Sequence, residues 1–209
     1  MRVLEGSVIQ ICERHPLAIV VFRRHGLDPT RHVTLEAACR EHGIAVETVV
    51  GELERAEAAI TNGWPTRTIP ALIDHIVHTY HRMFDRDVVA TQAAIDQACE
   101  ATTPAARPIW RALHAALDEL RTLVVEHMDK EERVLFPWLS TRADTAAGPI
   151  RVMQLEHADT IALLHAVRTA MDRCAGPEAV AASFDAIERQ LCEHIYLEDE
   201  VLFRRALEA

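Results

Sequence analysis

The chain has 209 residues, 49% apolar and 26% charged, the composition of a folded protein and not of a disordered or fibrous one. Its 22 Lys and Arg against 32 Asp and Glu leave a formal charge of −10, a poor footing for nucleic-acid or anionic-membrane binding. The longest purely apolar run, Leu17 to Phe22, is far too short for a transmembrane helix, and the N-terminus lacks the apolar stretch of a signal peptide.

Residues 1–66 read as a small helical domain. One helix is expected over Val8 to Phe22. A second starts at Thr34 as N-cap and stops at Gly43, and a third runs from about Val46 to Ile60. The segment 61–70 (TNGWPTRTIP) is the strongest break in the chain and sets a domain boundary at 66/67. Residues 67–209 then carry four long helical segments, from about Pro70 to Glu100, Pro104 to Ser140, Pro149 to Cys174 and Pro177 to Leu207. Each has a proline near its start, where the missing N–H is harmless. Long helices with short connections predict an all-α, up-down-up-down four-helix bundle.

Within the second and fourth long segments one block recurs at an offset of 67 residues: His127 to Phe136 and His194 to Phe203 share H-x-x-x-E-[ED]-x-V-L-F, an internal duplication of a helix pair. Residues four apart lie on one helix face. Leu120, Val124, His127, Glu131, Val134 and Trp138 form one seam; Ile187, Leu191, His194, Glu198 and Val201 form another. Each His and Glu therefore falls on an apolar stripe, where an unpaired carboxylate costs several kcal/mol, roughly, or is forced neutral. Two such seams demand positive charge between them. The remaining two helices offer His81, in step with Val77, Phe84 and Val88, and His157, in step with Ile150, Met153, Ile161 and Leu164. Four His and two Glu from four helices predict a dinuclear metal site in which each carboxylate bridges and each metal receives two imidazoles. Nitrogen and oxygen donors without thiolate favour iron over manganese or zinc.

These segments resemble the hemerythrin-like di-iron proteins, and specifically the bacterial iron–sulfur cluster repair family. The resemblance rests on Leu72 to Ile76 with Tyr80-His81, Glu126 to Pro137, Gly148 to Met153 with Glu156-His157, and His194 to Glu198 through Leu202-Phe203. It implies two iron ions, oxo- or hydroxo-bridged, on His81, His127, Glu131, His157, His194 and Glu198. Phe22, His25 to Asp28 and Thr34 to Cys39 are similar to the family's small N-terminal domain. The family's Cys-Cys-Gly-Gly element is absent, with Pro29 to Val33 in its place.

The other histidines are expected outside the metal shell. On a helical wheel His78 and His75 diverge from His81, and His165 lies two turns beyond His157. Glu132 and Glu156 adjoin ligands but point about 100° away, so they read first as bundle-surface charges, the alternative being that they orient a ligand imidazole or relay protons near the open metal position. Cys192 is expected to be a buried thiol. Five scattered cysteines without a CxxC fit a reducing, cytoplasmic setting.

Two imidazoles, two carboxylate oxygens and one bridge leave octahedral iron an open position for a small diatomic ligand, NO or O₂. Oxygen-carrying hemerythrins use a further histidine one turn from the third-helix ligand. Met153 and Ile161 stand at that spacing, which disfavours a carrier. The family implies protection or repair of iron–sulfur clusters under nitrosative or oxidative stress, with an iron–sulfur protein as client. An O₂, NO or redox sensor is the alternative, a reductase a weaker one, and homodimerisation is left open.

Overall fold

The computed structural model describes residues 4–141, 146–174 and 177–208, and among them the chain is all-α. The N-terminal helices are α1 (Val8–Arg14), α2 (Leu17–Arg24), α3 (Leu35–Glu41) and α4 (Val46–Thr61). The single helix expected over Val8 to Phe22 is two. Pro16 has no N–H to give, and its ring drives His15 out of the helical region to φ −136° and ψ 82°. Thr34 caps α3 as expected, its side chain accepting the Ala37 N–H at 3.2 Å, and Gly43 follows the helix at φ +67°, which a side chain would resist.

A 3₁₀ turn (Trp64–Thr66) leads into the bundle helices α5 (69–101), α6 (107–139), α7 (Ala147–Met171) and α8 (178–208). Thr68 caps α5, accepting the Ala71 N–H. Sequence neighbours are spatial neighbours: α5 packs on α6, α6 on α7, α7 on α8, and α8 closes the ring on α5.

Three of the four long helices are interrupted by a π-helical segment: Val77–His81 in α5, Glu131–Leu135 in α6 and Glu198–Phe203 in α8. A π turn is wider than an α turn and rotates the residues beyond it about the helix axis. The seam expected through Val134 and Trp138 accordingly slips. Val134 is 57% exposed, whereas Leu135, Phe136 and Leu139 are buried.

Two apolar clusters result. One joins the N-terminal helices to the adjoining half of the bundle, through Phe22, Leu53, Phe84, Leu120, Phe184 and Cys192. The other fills the far end, through Trp64, Leu72, Leu135, Ile150 and Phe203. Helix α2 lies against α4 and α8, and a buried ion cluster fastens the junction. Glu188 takes Arg23 at 3.0 Å and Arg168 at 2.9 Å, and Arg168 also meets Asp185.

Candidate metal centre

The six residues singled out for ligation converge between the two apolar clusters. His81 comes from α5, His127 and Glu131 from α6, His157 from α7, and His194 and Glu198 from α8. All are buried, and both glutamates are wholly inaccessible. His81 Nε2 faces His194 Nε2 at 3.1 Å, and His127 Nε2 faces His157 Nε2 at 3.2 Å. Glu131 Oε2 lies 3.6 Å from His81 and 3.4 Å from His127, while Glu198 reaches His157 at 3.2 Å and His194 at 2.9 Å.

The donors fall into two groups of four: His81, Glu131, His194 and Glu198, and His127, Glu131, His157 and Glu198. Within each group one donor atom per residue lies within 4.8 Å of the others, close enough for a shared cation. All four carboxylate oxygens of Glu131 and Glu198 are buried without a hydrogen-bond partner. Two unsatisfied buried carboxylates amid convergent imidazole lone pairs fit metal cations far better than an apolar or purely hydrogen-bonded interior.

The electrostatics of the unliganded side chains point the same way. Burial, aided by neighbouring His194, pushes His81 down to about 3, so its imidazole stays neutral. Burial and the charge of Glu198 push Glu131 up. For Glu198 burial acts upward, but His194 and His157 outweigh it and hold the carboxyl well below the usual range. Burial also opposes protonation of His157, yet Asp199 and Glu198 overcome it and raise the group to about 10.

Residues 72–206 match the family described as the hemerythrin HHE cation binding domain. The chain is 32% identical over 208 residues to the iron-sulfur cluster repair protein YtfE of Enterobacter sp. (strain 638), with 92% of each chain covered. The YtfE proteins of Citrobacter koseri and Escherichia coli O17:K52:H18 are 31% and 30% identical, again over 92% of each chain. The chain belongs to the hemerythrin family, among the iron–sulfur cluster repair proteins. All six converging residues lie inside the hemerythrin match.

Around this cluster stands a ring of supporting side chains, of which the sequence offered Glu132 and Glu156 only as the second reading and Asp199 not at all. Glu132 and Glu156 are not bundle-surface charges. Glu132 Oε1 lies 3.1 Å from His81 Nδ1, and Glu156 Oε2 lies 2.9 Å from His127 Nδ1. Asp199, which no spacing argument singled out, lies 3.2 Å from His157 Nδ1. Each carboxylate is one position off a ligating position of its own helix, and so points to the histidine of the preceding helix. For Glu132 and Asp199 the signal was present as the acidic residue after each H-x-x-x-E, and for Glu156 as the acid just before His157, but only the bundle's closure tells which imidazole each meets. His194 is the exception, its Nδ1 buried and without a hydrogen-bond partner. Its ring instead stacks on Tyr80 from α5, 5.6 Å between centroids and 10° between planes.

The remaining histidines stay outside the site. His78 is exposed and bonds the Asp74 carbonyl, and His75 packs between Trp64 and Tyr80. His165 is far along α7, its ring beside the cleft between α2 and α7. Cys192 is fully buried, and burial pushes its thiol well up. No described helix is long and apolar enough to cross a membrane.

Proposed function

We propose that this hemerythrin-family chain is a non-haem di-iron protein of the nitrosative and oxidative stress response that protects or repairs iron–sulfur clusters. The observation that carries the reading is the pair of four-residue groups sharing Glu131 and Glu198, set in a chain similar along nearly its whole length to proteins named for that repair. In this reading His81 and His194 hold one iron, His127 and His157 the other, and the two glutamates bridge them. When bound, the iron pair would supply redox chemistry and would bind a small ligand such as NO or O₂.

The protein's own part is preparation of that pair. Glu132, Glu156 and Asp199 accept the Nδ1–H of their imidazoles, which fixes the tautomer and leaves each Nε2 lone pair facing inward. The two apolar clusters above and below keep bulk water from the carboxylates. The chemistry needs a reducing, cytoplasmic setting, which the five free cysteines suit.

Residues 1–66 form, on this proposal, a separate unit that docks on the bundle. Cys12 and Cys39 are both buried, and burial raises both thiols, so neither is suited to relay electrons or iron. The helices serve as a cap or a contact surface for a client iron–sulfur protein.

Two measurements test the reading together. Purified full-length chain should carry two irons, and it should restore activity to an iron–sulfur enzyme inactivated by nitric oxide. Two irons without restoration would leave a sensor; no iron would refute the site.

A further inference from the structure

We propose that the two iron positions are unequal, and that the position between His81 and His194 surrenders its metal first. The inference rests on the di-iron reading above. Its ground is the ring of supports around the imidazoles, which has three carboxylates and one gap. Helix α6 sends Glu132 back to His81 on α5, α7 sends Glu156 back to His127 on α6, and α8 sends Asp199 back to His157 on α7. The fourth step, from α5 to α8, is taken by Tyr80, whose ring stacks on His194 and offers its Nδ1 no acceptor.

The consequence falls on one metal only. His127 and His157, which share a position, are both backed by carboxylates, which strengthen an imidazole as a donor and fix its orientation. His81 and His194 share the other, and only His81 is so backed. Stacking on Tyr80 keeps the His194 ring in place without adding to its basicity. The backing of His81 is also the most open of the three: the Glu132 side chain is 33% exposed, against 21% for Glu156 and 25% for Asp199. Loss of one such partner typically lowers metal affinity about 10- to 100-fold. A gap confined to one position therefore separates two metals held by the same ligand types. A protein that hands over iron while keeping its fold gains from that inequality, since the second metal would still tie α6, α7 and α8 together through His127, Glu131, His157 and Glu198.

The test uses full-length chain loaded with ⁵⁷Fe(II) and an excess of a ferrous chelator under anaerobic conditions. Release should occur in two phases of equal amplitude, the first about tenfold or more faster. Stopping midway should remove one of two Mössbauer doublets. Asp199→Asn and Glu156→Gln should each accelerate the slow phase several-fold and leave the fast phase within twofold, while Glu132→Gln should accelerate the fast phase alone. These carboxylates are partly exposed and the replacements isosteric, so the fold is kept. A single phase from a chain holding two irons overturns this inference alone, as does acceleration of the fast phase by Asp199→Asn. A chain that takes up no iron overturns the di-iron reading and this inference with it.

Discussion

Glu131 and Glu198 each stand between one imidazole of either group: Glu131 between His81 and His127, Glu198 between His194 and His157. Neither carboxylate can be removed without touching both donor groups. Glu198→Ala and His127→Ala should each lose most bound iron while circular dichroism remains helical, and the melting temperature should fall with the lost metal. Iron content near two per chain in either variant would refute the assignment.

Nitric oxide added to the reduced protein should give an iron–nitrosyl spectrum. His78→Ala should leave that spectrum unchanged, because His78 is exposed and engaged with the Asp74 carbonyl. Loss of the signal would place His78 inside the metal shell.

Glu188 is buried between Arg23 and Arg168, at the junction of α2 with the bundle. Glu188→Ala leaves two guanidiniums facing each other without their shared counter-charge, and should cost about 3 kcal/mol in urea unfolding. Iron content should stay at the wild-type level, since Glu188 belongs to neither donor group. Depletion of iron together with stability would show that the junction and the metal site are coupled.

Burial would raise the carboxyl of Glu52, but hydrogen bonds from His25 and Arg24 outweigh it and hold the group below its usual value. A carboxylate whose pKa is depressed by folding stabilises above its unfolded value, and the benefit fades as pH falls through the folded one. The gap in urea midpoint between wild type and Glu52→Gln should therefore be steady above about pH 5 and close below about pH 4. A gap that persists at pH 3 would mean that Glu52 acts through packing rather than charge.

The four long helices and four of the six converging residues were legible because spacing puts His127 with Glu131, and His194 with Glu198, on apolar faces, whereas His81 and His157 needed the bundle context and the family resemblance as well. Local chemistry also showed Thr34 as a cap. The π segments were not legible. A wider turn leaves no mark on the residues that form it, and its trace, Val134 outside and Leu135 inside, contradicts the regular period. Pro16 was readable and overlooked: the apolar pattern of Val8 to Phe22 runs through it although its ring does not permit a continuous helix. Asp199 was hidden, and the partners of Glu132 and Glu156 were undecided, for a different reason. A helical wheel describes one helix, and each of these carboxylates acts on a neighbouring one.

The layer of His and Glu side chains divides the apolar interior, with one cluster reaching into the N-terminal helices and the other at the far end of the bundle. Across that divide stand the buried carboxylates of Glu131 and Glu198, whose oxygens lack hydrogen-bond partners of their own. On the di-iron proposal, a metal bound there would lend folding cooperativity along the long axis. With the metal stripped, amide protons of 69–80, 135–139 and 197–208 should exchange ahead of those in the half buttressed by α2 and α4. The far end of the bundle would then behave as a flap whose latch is the cargo itself, loosening as iron leaves and closing again only when iron is restored.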